Sequence, residues 1–118
     1  MKVNGEVYRF IEANRSLDKI CSQDNEYPIR SAYKLIKAKK ELDDAIEYVM
    51  QRFSNVCGEA VDFENLNNEQ NVILNSILSQ EIEIELPELT IEEVTDNNKV
   101  RVTSSDMENL LFVFENRK

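Results

Sequence analysis

A chain of 118 residues with a net charge of −9, no histidine, two glycines and two prolines excludes several classes of function at once. That length is enough for one domain, expected to span 1–118, which can bury roughly 65% of its unfolded surface without a disulfide or metal staple. Residues 1–59 carry 10 basic and 10 acidic side chains and residues 60–118 carry 4 and 13; an acidic excess of this kind argues against general binding to nucleic acid or to an anionic membrane.

Near the start, Asn4-Gly5 is a turn signal after a short apolar touch at Val3. Val7, Phe10, Ile11, Leu17, Ile20 and Cys21 then recur at helical spacing and predict an amphipathic helix over roughly 5–22. The polar stretch SQDNEY ends it. Pro28 opens the strongest helical pattern in the chain, since proline fits a first helical turn. Ala32, Leu35, Ala38, Leu42, Ala45, Ile46, Val49 and Phe53 form its stripe, widened by Tyr33, Ile36 and Met50, and Gly58 is the stop signal. Its length of about 27 residues corresponds to roughly 40 Å. The short connector makes the first two helices an antiparallel pair. Tyr27, Tyr33 and Tyr48 read as residues at the edge of the core.

NLNNEQNVILNSILSQ is a third helix, capped by Asn65 or Asn67, with Leu66, Ile73, Leu74, Ile77 and Leu78 on its apolar side. In QEIEIELPELTIEEV apolar and acidic residues alternate as in a strand, with Ile82, Ile84 and Leu86 inward and Glu81, Glu83 and Glu85 outward. After Pro87 the inward set becomes Leu89 and Ile91, out of phase, which demands a kink or bulge. KVRVT reads as a strand with Val100 and Val102 inward, so that Lys99 and Arg101 answer the glutamates across an antiparallel pair. Ser105 to Glu108 has the S-x-x-E form of a capping box and starts a last helix. Its LLFVF segment is apolar on more than one side; burial by the domain itself is the favoured reading and a partner surface the other. The expected fold is α+β and mainly helical: a long antiparallel helix pair, a third helix, a C-terminal helix, and a small sheet at 81–86 and 99–103, with 1–3 a candidate third strand.

The lack of histidine removes the commonest general base, the usual catalytic triads and most zinc sites. Cys21 and Cys57 lie 36 residues apart with no C-x-x-C between them. With no signal-peptide pattern and no apolar run near 18 residues, they point to a reduced, cytoplasmic protein, although the spacing leaves a single disulfide open. Cys57-Gly58 has no base suggested beside it and reads as structural. Glu81, Glu83 and Glu85 on one strand face stand about 7 Å apart. One ion wants its oxygen ligands within about 2.5 Å, so the row makes a poor chelator and reads as a solvated face. No catalytic residue, metal site or cofactor is expected.

Arg30, Lys34, Lys37, Lys39 and Lys40 form a basic run with no acid between 27 and 40, and Glu41, Asp43, Asp44 and Glu47 follow. Basic before acidic along a helix opposes its macrodipole. The first reading of this run is a solvated face; a contact with the acidic second half or with a partner comes next, and a contact with nucleic acid last. The candidate partner surface comprises Glu88, Glu92 and Glu93 together with Arg30, Lys34 and Lys37.

The order of these signals resembles a family. NGE leads into a helix; YPIRSAYKLIKAKKELDDAIEYVMQRF opens a long one; ILSQEIEIELPELTIEEV runs from a helix end into two acidic-apolar steps; VTSSDMENLLFVFE closes the chain. In this the chain looks like short, uncharacterised proteins carried by phages, prophages and integrative elements of Gram-positive bacteria. A serine pair stands where that pattern has a proline before the last helix. The resemblance implies an accessory protein of a mobile element, and no functional residues are carried over with it. The favoured reading is a non-enzymatic protein that binds a host or phage protein through its acidic second half. A self-associating structural subunit, using a sheet edge or the LLFVF helix, is the alternative; a carboxylate- or metal-dependent enzyme ranks below both.

Overall fold

The structure, a computed structural model, describes residues 2–23, 26–58, 64–95 and 100–114. In chain order these form β1 (Lys2–Glu6), α1 (Val7–Cys21), α2 (Ile29–Cys57), α3 (Asn68–Leu78), β2 (Glu81–Glu85), α4 (Ile91–Thr95) and α5 (Ser104–Phe114). The protein is mainly helical with a small antiparallel sheet, as the hydropathy pattern predicts.

Helix α2 is uninterrupted because no glycine or proline lies between Ile29 and Cys57. The carbonyl of Pro28 accepts from Ala32 N–H, so proline stands where its missing N–H costs nothing. Gly58, at φ +93°, ends the helix in a conformation that disfavours any side chain. At 1.5 Å per residue the 29 residues span about 43 Å, close to the 45 Å longest extent of the molecule.

Helix α1 lies between α2 and α5 and runs antiparallel to both. Against α2, Val7 joins the cluster of Val49 and Phe53, while Asn14 and Asp18 meet Lys39. Against α5, Phe10 meets Phe112 while Lys19 meets Asp106. Burial on two sides explains why Phe10, Ala13, Leu17 and Ile20 are almost fully inaccessible. The main core joins these residues to Leu35, Ala38 and Leu42 of α2 and to Leu110, Val113 and Phe114 of α5. A smaller cluster of Val7, Val49, Phe53 and Ile77 packs α3 beneath the second half of α2. LLFVF is thus buried by the protein itself, apart from Leu111.

The sheet differs from the expected one. Strand β2 pairs with β1, the candidate third strand, in an antiparallel register that sets Val3 opposite Ile84 and Asn4 opposite Glu83. Glu81, Glu83 and Glu85 do face outward, and Lys2 reaches Glu83 at 3.7 Å. Residues 100–103 form no strand, and Lys99 lies outside the described residues. The reason is local. Both backbone groups of Arg101 that a ladder would use are taken by the Gln23 side chain, whose amide donates to Arg101 O at 2.8 Å and accepts from Arg101 N–H at 3.0 Å. Val100 and Val102 still pack against the core.

Two helix starts also depart from expectation. The parity break after Pro87 is resolved by a short helix rather than a bulge. Thr90 and Glu93 form a reciprocal capping box: Glu93 N–H donates to Thr90 Oγ1 at 3.1 Å, and Thr90 N–H to Glu93 Oε2 at 3.2 Å. Helix α5 is capped two residues earlier than the S-x-x-E reading. Asp106 N–H donates to Thr103 Oγ1, and Thr103 N–H to Asp106 Oδ2. Helix α3 has the expected cap at Asn67, closed reciprocally by Gln70.

Candidate functional site

Of the predicted inner stripe of α2, Leu35, Ala38, Leu42, Val49 and Phe53 are buried, while Ala32, Ala45 and Ile46 are half-buried. Its outer face is the departure. Ile29 is 90% exposed, Tyr33 65% and Ile36 69%, at spacings of four and three that align them on one side. Tyr33 and Ile36 therefore do not widen the core stripe, and Tyr48, also exposed, is not at the core edge. Only Tyr27 of the three candidate tyrosines is partly buried; its hydroxyl donates to Val94 O at 2.8 Å. The cause is geometric: α1 packs against the side of α2 that carries Leu35, Ala38 and Leu42, and α3 against Val49 and Phe53. The sequence signal was present, because Ile29, Tyr33 and Ile36 lie roughly opposite Leu35, Ala38 and Leu42 on a helix of 3.6 residues per turn.

The two separate groups of candidate residues meet here. Lys34 Nζ lies 4.0 Å from Glu93 Oε2, so the basic run and the acidic second half share one surface. Glu93 is held for this by the α4 capping box, which fixes its carboxylate. Arg30 and Lys37 are exposed beside Tyr33, and among the described residues neither has an ion-pair partner. Glu88 and Glu92 are exposed on the acidic side and, among the described residues, are likewise unpaired. The site is therefore an apolar stripe flanked by cations, tied to α4 through Lys34 and Glu93.

The remaining charged clusters are internal ties. Lys39, in the same basic run, turns toward α1. Its ammonium donates to Asn14 Oδ1 at 3.0 Å and Asp43 Oδ1 at 2.6 Å, and lies 2.9 Å from Asp18. Burial alone would lower the Lys39 pKa, but the bonds to Asp43 and Asp18 outweigh it and raise it. Asp43 is lowered by Lys39 against its own desolvation, with help from Asn14. Across α1, Asp106 accepts from Lys19 and from Ser16, each at 2.8 Å, as well as from Thr103 N–H. Lys19, then the Thr103 amide and Ser16, hold its carboxyl well below the usual range. Ser16 is 2% exposed and also accepts from Asn109. These groups hold helices together, and sequence spacing could not reveal it because the partners lie up to 93 residues apart.

Among the described residues no three histidine, cysteine, aspartate or glutamate side chains come together as metal ligands, and no helix is long and apolar enough to cross a membrane. Cys21 and Cys57 are both free thiols, Cys21 at the end of α1 and Cys57 at the end of α2. Compared with protein-family models, with curated proteins and with solved structures, the chain matches none of them.

Proposed function

We propose that the protein is a non-enzymatic binding module whose outer α2 face docks another protein, in the cytosol of a host cell. The observation that carries this reading is the stripe of Ile29, Tyr33 and Ile36, exposed at helical spacing beside Arg30 and Lys37. Large apolar side chains grouped on a surface and rimmed by charge are a feature of protein interaction sites. The reading shifts weight from the acidic second half to α2. Glu81, Glu83 and Glu85 belong to the wet face of the sheet, and Glu93 is engaged by Lys34.

The polar groups of the interior support a non-enzymatic role, because Ser16, Asp106 and Lys39 are spent on bonds between helices. The setting, an accessory protein of a phage or integrative element, rests on the motif resemblance from NGE to VTSSDMENLLFVFE. A photo-crosslinking amino acid at position 33 or 48, expressed in bacterial cells, tests the docking face. Protein adducts from these positions, with none from position 83 on the acidic strand, are the expected result. Adducts from 83 alone would transfer the function to the sheet.

A further inference from the structure

The outer face of α2 carries a second pattern. Its exposed positions before residue 41 are basic or apolar, Arg30, Tyr33, Lys37 and Lys40. Those that follow are acidic or aromatic up to residue 48, Asp44, Glu47 and Tyr48, and then Gln51. The order opposes the helix macrodipole and is the poorer orientation for pairs four residues apart. In keeping with that, Lys39–Asp43 is the one such pair among the described residues, and it is on the inner side. Lys37 and Lys40 have no ion-pair partner among those residues.

An antiparallel copy of the same helix answers both halves at once. With a two-fold axis between Lys40 and Glu41, residue i of one copy faces residue 81 − i of the other. Lys37 then stands opposite Asp44, Tyr33 opposite Tyr48 and Arg30 opposite Gln51, all exposed positions. A parallel pairing would set cation against cation. Two-fold association of this kind needs one self-complementary patch, which this face supplies. From residue 30 to 51 it is about 33 Å long and free of glycine and proline.

We infer that the partner of this face is a second copy of the chain, forming an antiparallel α2–α2 dimer steered by complementary charge halves. The inference rests on the docking role proposed for α2 and names its occupant. It differs from self-association through the sheet edge or α5, because neither β1, β2 nor LLFVF takes part.

Sedimentation equilibrium from low- to high-micromolar concentration tests it. The expected result is a monomer–dimer equilibrium that weakens in high salt. Lys37→Glu with Lys40→Glu is expected to raise the dissociation constant about tenfold or more. Glu41→Lys with Asp44→Lys is expected to do the same. Mixing the two double variants is expected to restore a dimer, now between unlike chains, while circular dichroism confirms that each stays helical. A monomer throughout, or a dimer indifferent to both charge reversals, would overturn the inference. Crosslinks from positions 33 and 48 to proteins of other masses, with the chain monomeric, would leave α2 a docking face and remove only the second copy as its occupant.

Discussion

Phe112 lies directly over Gly5: a Cβ at that glycine would stand 2.4 Å from Phe112 Cζ and 2.7 Å from Cε1. The ring is 6% exposed, with its centroid 5.0 Å from that of Phe10 and the Arg9 guanidinium 4.0 Å above it. It closes β1 against α5 and has little room to retreat. The glycine of Asn4-Gly5 thus serves close approach within a strand rather than a turn.

Gly5→Ala is accordingly expected to lower stability by about 1–3 kcal/mol through overpacking. Combining it with Phe112→Leu should cost less than the two single changes summed, because the smaller side chain accommodates the new methyl. Urea unfolding of the four species measures the coupling. Strict additivity would mean that the strand and ring do not touch in this way.

Thr103→Ala is expected to cost about 0.5–2 kcal/mol through loss of the α5 cap, whereas Ser105→Ala should change stability by a few tenths at most. Thermal or urea unfolding distinguishes them. The opposite ranking would restore the S-x-x-E register.

These two caps show where sequence stops being sufficient. TSSDME contains both T-x-x-D and S-x-x-E at the same spacing. What selects the first is Asp106, which also receives Lys19 and Ser16 from α1. The choice of strand partner is non-local in the same sense. KVRVT alternates well enough to pair, yet Gln23 occupies its backbone and β1 takes the place beside β2. By contrast α1, α2 and α3 are legible because each has a long apolar period and local end signals. Of the candidate site, the cations of α2 can be read as a run, and the exposed Ile29, Tyr33 and Ile36 as a second stripe opposite the first. Their meeting with α4 through Lys34 and Glu93 depends on packing, which spacing does not encode.

Asp106 should make stability fall in acid. Its folded pKa is depressed, so its contribution is complete above the ordinary carboxylate value of about 3.9 and declines as pH falls below that toward the folded pKa. Asp106→Asn should therefore flatten the acid limb of a stability-versus-pH curve and, at neutral pH, cost about 1–2 kcal/mol for the lost charged hydrogen bonds. An unchanged acid limb would show that the carboxylate is not engaged by Lys19 and Ser16.

Lys39 has the opposite sign. Its pKa is raised, so what it adds is complete below the unfolded lysine value of about 10.4 and disappears as pH rises through the folded one. Lys39→Met keeps much of the stem but leaves Asp18, Asp43 and Asn14 without their shared donor. The expected cost near neutral pH is about 1–2 kcal/mol, read by urea unfolding. A matching loss in Lys37→Met, measured at a concentration where the chain is monomeric, would contradict the division between inner and outer cations of α2, since Lys37 is exposed and in the monomer should be near neutral in effect.

The most direct test of α2 as the docking face is a map of backbone amide shifts in dilute and concentrated samples of the intact chain. Shifts concentrated at the exposed positions of residues 30–51, and reduced by high salt, are the predicted result. Shifts confined to β1, β2 or α5, or spectra identical at every concentration, would contradict the pairing of α2 with its own copy.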